Sequence, residues 1–126
     1  GRGGENEMDA TYVIASDKSR NLVRIKMAGF YGQKDVQDFA AAYRDALTGL
    51  QAPGHLTITD ITDMPIQAQD IIGTFATAFA PPEVRSRRIA FICSSSLSRL
   101  QAQRLFGRDG VRFFDCGDEA EAWIFG

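Results

Sequence analysis

Apolar residues alternate or recur along this chain with two periods, and the period changes from segment to segment. Residues 10–15 (Ala-Thr-Tyr-Val-Ile-Ala) read as a strand. Asp17-Lys18-Ser19-Arg20-Asn21 is a run of turn formers, and Leu22-Val23-Arg24-Ile25-Lys26-Met27 then alternates apolar and basic. Two such strands joined by a short polar turn predict an antiparallel hairpin, closed by Gly29 and Gly32 around Phe30-Tyr31. The period then lengthens. Val36, Phe39, Ala40, Tyr43, Leu47 and Leu50 recur every three or four residues, which predicts a helix with one apolar stripe. Asp35 and Asp38 suit its positive end, and Gly49 suits its stop.

After the Pro53-Gly54 turn, Leu56-Thr57-Ile58-Thr59 predicts a short strand ending on Asp60. A second helix is expected over about 67–80, with Ile71, Ile72, Phe75 and Phe79 inward and Pro81-Pro82 as its terminator. Ile89-Ala90-Phe91-Ile92-Cys93 is a continuous apolar run, as in a parallel strand covered on both faces. Ser94-Ser95-Ser96 offers cap hydroxyls to a third helix reaching about Phe106. Gly107-Arg108-Asp109-Gly110 turns the chain into a last strand, 111–114. Asp118 and Glu121 have capping-box spacing ahead of a final helix whose inner face is Ala120, Trp123 and Ile124. The expected order is β-β-α-β-α-β-α-β-α: an α/β domain with a mostly parallel sheet, an N-terminal antiparallel hairpin, and helices packed on the sheet.

The 126 residues fit one domain. Residues 1–8 are read as a flexible N-terminus that need not be native, since Met8 can serve as a natural start, and 9–126 as the domain. No stretch is long and apolar enough to span a bilayer. The net charge of −2 argues against nucleic acid as a partner. The charge is unevenly spread: residues 81–112 hold seven arginines against two carboxylates, and Asp115, Asp118, Glu119 and Glu121 follow. The two segments are expected to neutralise one another in space or to sit on solvated faces, with a small anion site as the lesser reading. Cys93 and Cys116 suit a reducing, cytoplasmic compartment and are expected to be buried or half-buried thiols. With the single His55 they cannot form a zinc site, and no cofactor is implied.

Several of these segments resemble the SpoIIAA-like branch of the STAS domains, the anti-sigma-factor-antagonist-like fold. The carrying features are the hairpin ending at Gly29, the strand Leu56-Thr57-Ile58-Thr59 closing on Asp60, Arg88-Ile89-Ala90-Phe91-Ile92, and Phe113-Phe114-Asp115 followed by Glu119-Ala120-Glu121-Ala122-Trp123-Ile124. The resemblance covers most of residues 10–125. It implies a regulatory module that works by binding. Regulators of this family carry a phosphorylatable Ser in Asp-Ser-(Ser/Thr)-x-x-Gly after the Asp strand. Here the stretch is Asp63-Met64-Pro65-Ile66-Gln67-Ala68, so that switch does not carry over. The fold is also similar to the lipid-binding lobe of CRAL-TRIO proteins, which implies a place for a hydrophobic ligand.

Three functions follow as expectations. The first is a non-catalytic module contacting a protein partner, or itself as a homodimer, through Asp60, Thr62, Asp63 and Met64 at the strand carboxyl ends, where open α/β sheets bind ligands. The plainer use of those carboxylates is in turns and caps. The second is a carrier or sensor of a small apolar ligand beside Met64, Phe75 and Phe79. The third is a hydrolase-like enzyme. It ranks last because no G-x-S-x-G elbow exists and no nucleophile and base are expected to meet. His55, at the amino end of its strand, is expected at the surface or in a cap. Ser94, Ser95, Ser96 and Arg99 form a candidate anion site at a helix start, with ordinary capping as the plainer reading.

Overall fold

The computed structural model describes residues 8–126, so the expectation for the N-terminus up to residue 7 lies outside the described residues. The chain forms β1 (Thr11–Asp17), β2 (Leu22–Ala28), α1 (Gln33–Leu47), β3 (Leu56–Asp63), α2 (Gln69–Ala78), β4 (Arg88–Ile92), α3 (Ser96–Phe106), β5 (Val111–Phe114) and α4 (Gly117–Ile124). The sheet order is β1-β2-β3-β4-β5, antiparallel between β1 and β2 and parallel beyond. The element order and the hairpin are those expected from the pattern.

Each parallel connection steps one strand in the same direction. Crossovers of one hand that all step the same way put their helices on one face of the sheet. The aliphatic and aromatic residues of α1, α2 and α3 accordingly share one core with Val23, Ile25, Met27, Ile61, Ile89 and Phe91. Side chains alternate along a strand, so Leu22, Leu56, Ile58 and Ala90 point the other way and meet Ala120 and Ile124 of α4. Within the first core, Phe39 of α1 holds edge-to-face contacts with Tyr12 at 5.3 Å and Phe75 at 6.3 Å between ring centroids. Gly29 takes φ +82°, and a Cβ there would drive into the backbone carbonyl of Asp9, so only glycine fits this end of the hairpin. The Met8 carbonyl accepts the Phe30 N–H at 2.7 Å.

The details correct some expectations. β3 continues past Asp60 to Asp63, because Asp60 still pairs with Lys26 of β2 and Asp63 with Ala28. Asp60, Thr62 and Asp63 are therefore strand residues rather than a loop beyond one. The last helix is capped at Cys116, not Asp118. Glu121 turns away from the helix start to pair with Arg24 of β2, and that ion pair raises the Arg24 pKa and lowers that of Glu121. Cys93 is buried, which pushes its thiol pKa up, but Cys116 is exposed at the helix start. Arg99 with Asp115 is the one ion pair between the basic segment and the acidic tail among the described residues. Arg88 and Arg112 stack on Trp123 instead. No helix among the described residues is long and apolar enough to cross a membrane.

Candidate ligand cavity

On the face covered by α1, α2 and α3 the core is not filled. A cavity of about 160 Å³ lies between the sheet and the last two of these helices. Its walls are Ile25 and Met27 of β2, Thr59 and Ile61 of β3, Phe91 of β4, Phe39 of α1, Phe75 of α2 and, four residues on at the cap of that helix, Phe79. α3 contributes Ser98, Gln101, Ala102, Leu105 and Phe106. The gap has a local cause. No residue of α3 is buried, and three of its cavity-facing positions are small or polar, so the helix covers the core without plugging it. An engineered apolar cavity of ~150 Å³ in another protein binds benzene, which sets the scale of what would fit.

One end of the cavity is polar. Tyr43, Thr57 and Ser86 line it, and His55 stands behind them. His55 is 0% exposed, so the expectation of a surface or capping histidine is wrong. Its Nε2 lies 2.6 Å from the Tyr43 hydroxyl and 3.2 Å from Ser86 Oγ, and Ser86 Oγ lies 2.7 Å from Thr57 Oγ1. Burial pushes the His55 pKa down and that of Tyr43 up, so both stay neutral near pH 7. A hydroxyl and a base do meet here, against expectation. However, His55 Nδ1 has no partner, and a catalytic histidine uses that atom to take its orientation from a carboxylate.

Two arginines, the exposed Arg85 and the half-buried Arg108, are also among the residues that line this cavity. Arg108 donates to the Ser86 and Asp109 carbonyls at 3.0 and 2.9 Å. Burial, and then the charge of Arg85, lower its pKa.

The residues singled out in the sequence divide between this cavity and other surfaces. Met64, Phe75 and Phe79 line it; Asp60, Thr62 and Asp63 do not. Asp60 and Asp63 both pair with Lys26, at 3.7 and 3.1 Å. Burial alone would raise the Asp60 pKa, but the Thr62 hydrogen bond and the Lys26 charge bring it below the ordinary value. Ser95 caps α3 by accepting the Ser98 N–H, and Arg99 is held by Asp115 and the Cys93 carbonyl. Among the described residues no cluster of acidic, His and Cys side chains could hold a metal.

No family model matches the chain, and no curated protein does. Solved structures do. An uncharacterized protein of the DUF3478 family with a SpoIIAA-like fold, from Shewanella loihica PV-4, superposes with TM-score 0.73 at 19% identity, over 96% of this chain and 99% of that one. The chain has a SpoIIAA-like fold. An anti-sigma factor antagonist from Mycobacterium paratuberculosis superposes with TM-score 0.63 at 10% identity, over 96% and 98% of the two chains. In this SpoIIAA-like domain the segment 63–68 ahead of α2 is pinned by Gln67, which sequence reasoning missed. Its side chain is buried. It accepts the Tyr31 N–H at 2.8 Å and donates to the Gly29 and Pro65 carbonyls at 3.1 and 2.7 Å. Gln67 and Gln101 exchange a further pair of 2.9 Å bonds, tying this linker to α3.

Proposed function

We propose that this domain is a non-catalytic binding module for a small apolar ligand, held between the sheet and helices α2 and α3. The observation that carries the reading is the 160 Å³ apolar cavity beside Met64, Phe75 and Phe79. An apolar cleft with a small number of placed polar groups at one end is the usual make-up of a small-molecule site. The unpartnered Nδ1 of His55 supports binding over catalysis.

Titrating toluene into 15N-labelled protein tests this. Amide shifts should move at Ile25, Ile61, Phe75, Phe91 and Ala102 and stay still across β1 and α4. If no shift occurs up to the solubility of toluene, the cavity is not a site.

A second reading, contact with a protein partner, is favoured by α3. Leu97 and Leu100, one turn apart, are 64% and 51% exposed. They lie on the helix that covers the cavity, so a partner and a ligand would act on the same element. The fold shared with an anti-sigma factor antagonist supports this reading as well.

A further inference from the structure

We propose that the ligand of this cavity is a small apolar carboxylate, its hydrocarbon among Phe75, Phe79 and Phe91 and its anion held by Arg108 with Arg85. The inference rests on the reading of the cavity as a ligand site and adds the chemistry of the ligand's head. Other arginines of the domain are matched: Arg24 with Glu121, Arg44 with Glu83, Arg99 with Asp115, and Arg20 with Asp17. Arg88 and Arg112 lie over aromatic rings. Arg87 and Arg104 are exposed and away from the cavity. Arg85 and Arg108 differ from all of these. Both are among the residues that line the apolar cavity, Arg108 half-buried and Arg85 exposed at its edge, and neither has a carboxylate within 4 Å among the described residues.

The geometry of Arg108 sets the polarity of the missing partner. A guanidinium has five N–H donors. Arg108 donates to two backbone carbonyls, which fix its plane against Ser86 and the turn before β5, and its other donors have no protein partner among the described residues. The charge of Arg85 is near enough to lower the Arg108 pKa, and an anion bound by both removes that repulsion. A planar carboxylate matches the guanidinium fork. The neighbouring wall adds nothing that would compete for the anion's charge: Tyr43, Thr57 and Ser86 present hydroxyls, and His55 is neutral. The apolar volume limits the hydrocarbon to about one six-membered ring or a short chain, so phenylacetate has the right size and charge.

Calorimetric titration with phenylacetate, 2-phenylethanol and ethylbenzene, three ligands sharing one hydrocarbon, separates the two readings. Phenylacetate should bind at least tenfold more tightly than 2-phenylethanol. Arg108→Gln should abolish that preference while leaving 2-phenylethanol within twofold of its original affinity. Because Arg108 also braces the Ser86 backbone, Arg85→Gln is the second variant, and it should cut the preference severalfold without altering the fold. If 2-phenylethanol binds as well as phenylacetate, or if neither variant changes the preference, the carboxylate assignment is wrong and the apolar site stands. If none of the three binds, the cavity reading falls and this inference with it.

Discussion

Filling the cavity from within gives a test whose sign depends on whether the space is real. Ala102 of α3 lines it, and Ala102→Leu adds three carbons. At about 0.8 kcal/mol for each buried carbon the transfer gain is about 2.4 kcal/mol. Fixing a leucine side chain costs about 0.5–1 kcal/mol, so the variant should be more stable by about 1.5 kcal/mol. For a domain of this size that is a rise in Tm of roughly 5 °C. Urea denaturation of both proteins measures the difference, with an unchanged slope against denaturant as the check on two-state unfolding. Ala76→Leu, on the exposed face of α2, is the control and should stay within about 0.5 kcal/mol. The filled variant should also lose the stabilisation that saturating ligand confers, about 2.7 kcal/mol at a hundred times Kd. If the space closes in solution, the same leucine overpacks the core and costs about 1–3 kcal/mol. A destabilised Ala102→Leu that still binds ligand would falsify the cavity argument.

Three further outcomes are expected. His55 has a folded-state pKa below its ordinary 6.5, so the unfolded chain takes up its proton first as pH falls. Stability should decline below about pH 6.5, by at most about 1.4 kcal/mol per pH unit, until the folded value is passed. In urea melts from pH 7.5 to 5, the stability difference between wild type and His55→Gln should shrink as pH falls; a constant difference would rule out the buried neutral histidine. Hydrogen exchange should release the α3 amides well before those of β3, since no α3 residue is buried, and ligand should slow them; equal protection in α3 and β3 would remove α3 as the opening element. Asp60→Asn should cost under about 1 kcal/mol, because its ion pair with Lys26 is part-exposed, and should leave ligand affinity unchanged. A loss of ligand binding in that variant would return the site to the carboxyl end of β3.

What the sequence revealed and what it hid follow from the range of the interactions involved. Strands and helices declared themselves through local periods, and so did Phe75 and Phe79, because i,i+4 spacing puts both on one helix face whatever lies opposite. The pattern ends β3 three residues short because Asp60 and Asp63 are turn formers by type. The alternation continues through them, with Ile61 buried on the cavity side, and that was the available signal. His55 follows Pro53-Gly54 and looks like a loop histidine. It is buried because Tyr43 on α1 and Ser86 ahead of β4 close over it, and neither partner is near it in sequence. Glu121 has the spacing of a capping residue, yet a tertiary partner, Arg24, claims it.

The position of the cavity has a physical logic that the separate elements do not show. On the inner face of β3, Thr57 and Thr59 stand where a parallel strand ordinarily carries branched aliphatics. Across from them α3 presents Ser98, Gln101 and Ala102. Two surfaces with little bulk thus face each other between rows of phenylalanines. The linker ahead of α2 is locked to α3 by the Gln67–Gln101 bonds, which stops the helix from sinking into the gap. That combination holds the space open. The same α3 lets the chain turn at Arg108, so the guanidinium without a carboxylate partner sits at the end of the void. A packing fault would account for the gap alone. It would not account for a braced helix and an arginine with no carboxylate partner beside it, and these are the features on which the proposed ligand site rests.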